Sequence, residues 1–93
     1  EKAGSFSVVL ESVTENLANK INEISEIPVI GIGASKKCDG QILVTEDLLG
    51  LFNRSPKFVK KYENLRNKIT KAVKRYYKDV INGTFPGKNN VYK

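Results

Sequence analysis

Two short apolar runs, Phe6-Ser7-Val8-Val9-Leu10 and Val29-Ile30-Gly31-Ile32-Gly33-Ala34, constrain this chain more than any other feature. Tandem β-branched residues in runs this short suit strands buried on both faces. The first stops at Glu11. Ser12 and Glu15 then have the spacing of a capping box, and Val13, Leu17, Ile21 and Ile24 recur at helical steps until Pro28 closes the segment. Strand about 6–11, helix about 14–25 and strand about 29–33 make a βαβ unit, hence two parallel strands with a right-handed crossover. Such a pair is no core. A parallel sheet needs cover on both faces and neighbours on both edges, so the expectation is one part of a larger α/β domain rather than a free-standing one, with completion by partner chains as the lesser alternative.

The rest of the chain has a different pattern. Gln41-Ile42-Leu43-Val44 suits a short strand or the start of a helix, and Glu46-Asp47-Leu48-Leu49 is helical, which predicts a helix over about 46–51. Gly50 and Asn53-Arg54-Ser55-Pro56 mark a loop. From Phe58 to Ile81 the apolar residues return every three or four positions with lysines and arginines between them, predicting one long amphipathic helix, or two in line, over about 58–82 that ends near Asn82-Gly83, glycine suiting a left-handed cap. Residues 83–93 read as a turn-rich tail lying on another surface.

Charge divides the chain at the same place. Residues 1–50 hold four lysines against eight acids, and residues 51–93 hold twelve Lys or Arg against Glu63 and Asp79, leaving −4 and +10. The Lys57–Lys78 stretch, with Tyr62, Tyr76 and Tyr77 interleaved, therefore carries an alternative reading as a small basic module that binds nucleic acid or an acidic partner. Against it, the tyrosines mostly fall on the apolar stripe, and the lysines have the spacing of a solvated helix face.

Several chemistries are excluded. The 93 residues contain no histidine and one cysteine, Cys38, so Cys/His zinc sites, Ser-His-Asp triads and an internal disulfide are all ruled out within the chain. One unpaired cysteine fits a reducing cytoplasm, the expected location. No apolar run approaches the roughly 20 residues of a membrane helix. The first residue is Glu1 rather than Met, which leads us to expect sequence upstream.

Chemistry in parallel sheets gathers at the carboxyl ends of the strands, here Glu11 and the Gly31-Ile32-Gly33-Ala34 turn. Strand alternation puts Ser7, Val9 and Glu11 on one face and Val8 and Leu10 on the other, so Glu11 lies on the face that looks into the mouth of a barrel. It suits a general base or metal ligand, or equally a solvated or capping carboxylate beside the helix start. The glycine turn fails the dinucleotide fingerprint, since Lys36 stands where the third glycine belongs. Its glycines either leave room for a ligand or mark a backbone too crowded for side chains.

Taken together, Ala3-Gly4-Ser5-Phe6-Ser7-Val8-Val9-Leu10-Glu11, Ile27-Pro28-Val29-Ile30-Gly31-Ile32-Gly33-Ala34 and Cys38-Asp39-Gly40-Gln41-Ile42-Leu43-Val44 resemble the C-terminal third of the ketopantoate hydroxymethyltransferases. Asp47-Leu48-Leu49-Gly50-Leu51, Pro56-Lys57-Phe58-Val59-Lys60 and Gly83-Thr84-Phe85-Pro86-Gly87 extend the match over nearly the whole chain. The resemblance implies a (β/α)8 TIM barrel of the phosphoenolpyruvate/pyruvate superfamily, with the two strands here its seventh and eighth and the basic helix packed outside. It implies transfer of a hydroxymethyl group from 5,10-methylenetetrahydrofolate to 3-methyl-2-oxobutanoate, giving 2-dehydropantoate for pantothenate and coenzyme A synthesis. Glu11 would be the proton acceptor. Gly31 and Gly33, on the matching face of the next strand, would leave space for substrate. The family's Mg2+ ligands lie outside this chain, no cofactor-binding residue is assigned within it, and the expected assembly is a decamer. A fragment of this size is expected to be inactive by itself. Departures from the family pattern are Glu46 for histidine, Asn89-Asn90-Val91-Tyr92 for Glu-His-Ser-Phe, Ser35 for glycine and Thr14 for proline.

Overall fold

The computed structural model describes residues 1–93 and orders β1 (Val8–Glu11), α1 (Glu15–Ile24), β2 (Val29–Ile32), β3 (Gly40–Gln41), α2 (Thr45–Leu48), α3 (Leu65–Ile81) and a closing 3-10 turn, Lys88–Asn90. The sheet is small, parallel and in the order β1-β2-β3, so the two long strands are adjacent and a third short one flanks them. None of the helices is long and apolar enough to cross a membrane.

Register decides which side chains share a face. Val8 pairs with Val29, Leu10 with Gly31 and Glu11 with Ile32. Paired residues of parallel strands point the same way, so Val8, Leu10, Val29 and Gly31 face α1, while Val9, Glu11, Ile30 and Ile32 face away from it. The first set makes the core. Leu10, Ala18 and Val29 are buried, and Val8, Val13, Ile21, Ala34 and Cys38 pack around them. The second set has no cover, and Val9 is half exposed. One covered face and one bare face is the geometry of a parallel sheet without its second layer.

Helix starts and stops differ from the sequence-based expectation at three places. α1 is capped by Thr14, whose hydroxyl accepts from the Leu17 N–H at 3.4 Å. Ser12 is not the cap, because it takes a left-handed conformation (φ 57°) as the chain leaves β1. α2 covers Thr45–Leu48 rather than 46–51, for Gly50 turns left-handed and closes a Schellman motif, Leu51 N–H to Glu46 C=O and Gly50 N–H to Asp47 C=O. α3 starts at Leu65, not at 58. Asn64 caps it, accepting from the Asn67 N–H, while the Tyr62 and Leu65 amides donate to the Leu48 and Leu49 carbonyls and tie residues 62–65 to the end of α2.

At its far end α3 stops as the sequence predicts. Gly83 has φ 70°, and the Gly83 and Thr84 amides donate to the Val80 and Asp79 carbonyls in a second Schellman motif. The tail then folds back on the helix, with the Phe85 ring edge-on to Tyr76 at 5.5 Å. Apart from Leu65, every residue of α3 is exposed. The helix is not packed on the sheet, and the chain extends over 67 × 28 × 18 Å. Its radius of gyration is 22.1 Å, against about 12 Å for a compact domain of this length. Large apolar side chains such as Ile69, Val73 and Tyr76 are more than half exposed along α3.

Candidate functional site at the carboxyl ends of the strands

β1 and β2 end side by side, and each hands over to a residue that bends the chain sharply. Ser12 follows β1 with φ 57°, and Gly33 and Ala34 follow β2 with φ 67° and 59°. Left-handed geometry at two non-glycine residues costs about 1 kcal/mol each, and such residues concentrate where loop shape matters to function. Between these two bends opens a cleft of about 790 Å3, lined by both turns, by the first residues of α1 and by Lys57 and Phe58 from the loop after α2. This is the end of a parallel sheet at which ligands bind.

One side chain holds the second bend. The Gln41 carboxamide accepts from the Gly33 N–H (3.1 Å) and donates to the Gly33 and Ser35 carbonyls (3.1 and 2.8 Å), so it occupies both backbone groups of Gly33 from the neighbouring strand. Ser35 is buried and donates to the Asn19 Oδ1 of α1 at 2.6 Å. Asp39 fixes the start of β2, accepting from the Val29 N–H at 2.7 Å and donating its own amide to the Val29 carbonyl. None of these roles follows from helical or strand periodicity. Their trace in the sequence is indirect: Asp39 and Gln41 sit in the Cys38-to-Gln41 motif, and Ser35 is one of the departures noted above.

Glu11 is at the last position of β1, exposed, on the bare face of the sheet, in register with Ile32. Thr14 supplies the α1 cap, so Glu11 has no part in capping. It borders the cleft through Ser12 without lining it. The expected glycine gap does not exist. Gly31 pairs with Leu10 and therefore faces α1, opposite Glu11. A methyl group there would lie 2.7 Å from the Gln41 amide nitrogen, and one at Gly33 would lie 3.1 Å from Phe58 Cβ. Crowding by the protein's own Gln41 and Phe58 explains both glycines, and the residue beside Glu11 on its own face is Ile32. No three of Asp, Glu or Cys gather to hold a metal. Glu11, a lone carboxylate, does not make a magnesium site with the residues present here.

The model of the ketopantoate hydroxymethyltransferase family matches residues 1–88, which takes in the sheet, the cleft and all of α3. The chain belongs to that family. It is 57% identical over 90 residues to the 3-methyl-2-oxobutanoate hydroxymethyltransferase of Phenylobacterium zucineum, covering 97% of this chain and 33% of that protein. To the enzyme of the same name from Kosmotoga olearia it is 52% identical over 94 residues, 100% of this chain and 35% of the relative. The Zymomonas mobilis protein named 3-methyl-2-oxobutanoate hydroxymethyltransferase 2 is 54% identical over 93 residues, 100% and 34%. The chain thus spans about a third of the length of these hydroxymethyltransferases. The expectation that this is the C-terminal third, with strands seven and eight, is not borne out by that coverage. The basic Lys57–Lys78 stretch lies within the family match.

Proposed function

We propose that this chain contributes two neighbouring strands and one catalytic carboxylate to a closed (β/α)8 barrel that transfers a hydroxymethyl group from methylenetetrahydrofolate to 3-methyl-2-oxobutanoate, giving 2-dehydropantoate in pantothenate synthesis. The observation that carries the reading is the position of Glu11, at the carboxyl end of β1 on the uncovered face of the sheet, in a chain that belongs to the hydroxymethyltransferase family. Closing the sheet into a barrel turns that face inward and brings Glu11 to the mouth.

There the carboxylate does the work of a general base. The hydrogen on C3 of the keto acid lies next to a carbonyl; Glu11 accepts it as a proton, the electron pair of the C–H bond passes into the enolate, and its C3 forms the new carbon–carbon bond to the one-carbon unit as that carbon's bonds to the folate nitrogens break, water supplying the hydroxyl oxygen and the freed nitrogens taking up the protons. A carboxylate of ordinary basicity removes a carbon-bound proton only when the site stabilises the enolate. That stabilisation, including any divalent ion, comes from residues beyond these 93. The cover for the bare sheet face and for α3 comes likewise from the remainder of the barrel or from other subunits.

The test is hydrogen–deuterium exchange at C3 of 3-methyl-2-oxobutanoate, followed by NMR in the absence of folate. The full-length protein should exchange this hydrogen, and Glu11→Gln in it should lower the rate about a hundred- to ten-thousandfold. Wild-type exchange in that variant would remove Glu11 from the mechanism.

A further inference from the structure

Where the β2–β3 ladder stops, a side chain takes over from the backbone. The last backbone rung is the Ile42 N–H on the Gly31 carbonyl at 3.0 Å. Beyond it both backbone groups of Gly33 go to the Gln41 carboxamide, which also takes the Ser35 carbonyl. Such a set needs a group that accepts and donates at once, and a carboxamide, with an acceptor oxygen and a two-hydrogen donor, matches it. Register puts Gln41 beside Gly31, whose missing side chain is the room the carboxamide passes through: a methyl group there would lie 2.7 Å from the amide nitrogen.

What this clip holds is the strand end beside Glu11. Ile32 is the last residue of β2, directly before Gly33, and it is the register partner of Glu11 on the same face of the sheet. The bend that follows is left-handed at Ala34 as well as Gly33, and backbone of that kind persists only where contacts from outside fix it. Gln41 supplies those contacts from β3. Resting on the function proposed above, we infer that Gln41 is a positioning residue for proton removal, which fixes the end of β2 and, through Ile32, the place of the Glu11 carboxylate. Its carboxamide is spent on the backbone and takes no part in the chemistry. Both ends of each bond lie within this chain, so the clip is independent of what covers the sheet.

The experiment measures C3 hydrogen–deuterium exchange of 3-methyl-2-oxobutanoate in the full-length protein carrying Gln41→Met or Gln41→Glu. Methionine keeps the length and loses every bond of the clip. Misplacing a catalytic group by about 1 Å costs on the order of a hundredfold, so Gln41→Met should slow exchange at saturating keto acid about ten- to hundredfold. KM for the keto acid should change less than about twofold, because the base acts only in the transition state. At neutral pH Gln41→Glu sets a carboxylate against two carbonyls and should be as slow. In its neutral acid form the same side chain again accepts from the Gly33 N–H and donates to a carbonyl. The ratio of its rate to wild type should therefore rise several-fold from about pH 8 to about pH 5.5. The charged groups around it, Glu15, Lys36 and Lys57 in the shared cleft, Asp39 on its own segment and Glu11 across β2, are common to both proteins and drop out of the ratio. Wild-type exchange in Gln41→Met overturns the inference, and so does a flat ratio for Gln41→Glu, the mark of a merely structural loss. Glu11→Gln is scored separately: wild-type exchange there removes the base assignment, whereas lost exchange there with wild-type rates in Gln41→Met removes only the positioning role.

Discussion

Residues 1–50 carry a net charge of −4 and contain all six buried residues, whereas residues 51–93 carry +10 and contain none. The first half is organised by contacts between residues distant in sequence: β1 against β2 across the crossover, Asp39 on Val29, Gln41 on Gly33. The second is organised by its neighbours in sequence. α3 has an Asn64 cap, a Glu63–Lys68 ion pair across its first turn, a Thr70 hydroxyl donating to the Arg66 carbonyl and a Gly83 stop, all within five residues of one another. A 17-residue helix with both ends capped holds its shape without a partner, although its apolar stripe still lacks a surface to cover it. Local propensity thus gives a helix its form, and only the rest of the protein gives it a place.

Four substitutions and a titration probe that contrast, beginning with the sheet half. Leu10→Ala removes a buried side chain from a core of three and should cost the full-length protein about 3 kcal/mol in chemical denaturation, whereas Val73→Ala on exposed α3 should cost less than about 0.5 kcal/mol in the isolated chain. A cost above about 2 kcal/mol for Val73→Ala in the full-length protein would show that α3 gains a covered face there. Gly50→Ala should be next, about 2 kcal/mol, since a methyl group at this left-handed position runs into the Glu63 carbonyl just before α3. Gly83→Ala should cost about 1 kcal/mol: no atom lies within 4 Å of the added methyl, so only the φ of 70° opposes it. If the two glycine variants prove equal, the contact at Gly50 has no weight.

The smallest effect is electrostatic. The Lys68 ammonium and the Asn64 amide hold the Glu63 carboxyl below its ordinary value. A depressed folded-state pKa stabilises the helix start above the unfolded carboxylate range, and that contribution is lost as pH falls through the depressed value. Acid titration of α3 helicity by circular dichroism should therefore show a slight loss at the low-pH end, smaller in Lys68→Ala, which keeps only the Asn64 amide contribution. High salt should reduce it too, because the pair is exposed.

What the sequence made legible follows the same division. The strand–helix–strand order, the side of β1 on which Glu11 falls and the Gly83 stop all rest on near-neighbour rules of alternation, period and left-handed glycine. The errors arose where distant residues intervene. Ser12 has the spacing of a cap and loses the role to Thr14 because the chain must first turn out of the sheet. The helix read from Phe58 begins at Leu65 because Tyr62 and Leu65 donate their amides to the Leu48 and Leu49 carbonyls. Gly31 and Gly33 had two readings, room for a ligand or a crowded backbone, and it is crowding that the structure shows, by Gln41 and Phe58 from other elements. The cleft was invisible for that reason: its walls come from four separate segments.

The outer side of β1 has no strand beside it. Its four residues offer a row of unpaired amides and carbonyls with apolar Val9 alongside, a template on which an identical chain can add itself. In the barrel proposed above that edge closes; wherever it stays open, its pairing with a second copy rises with the concentration of the chain.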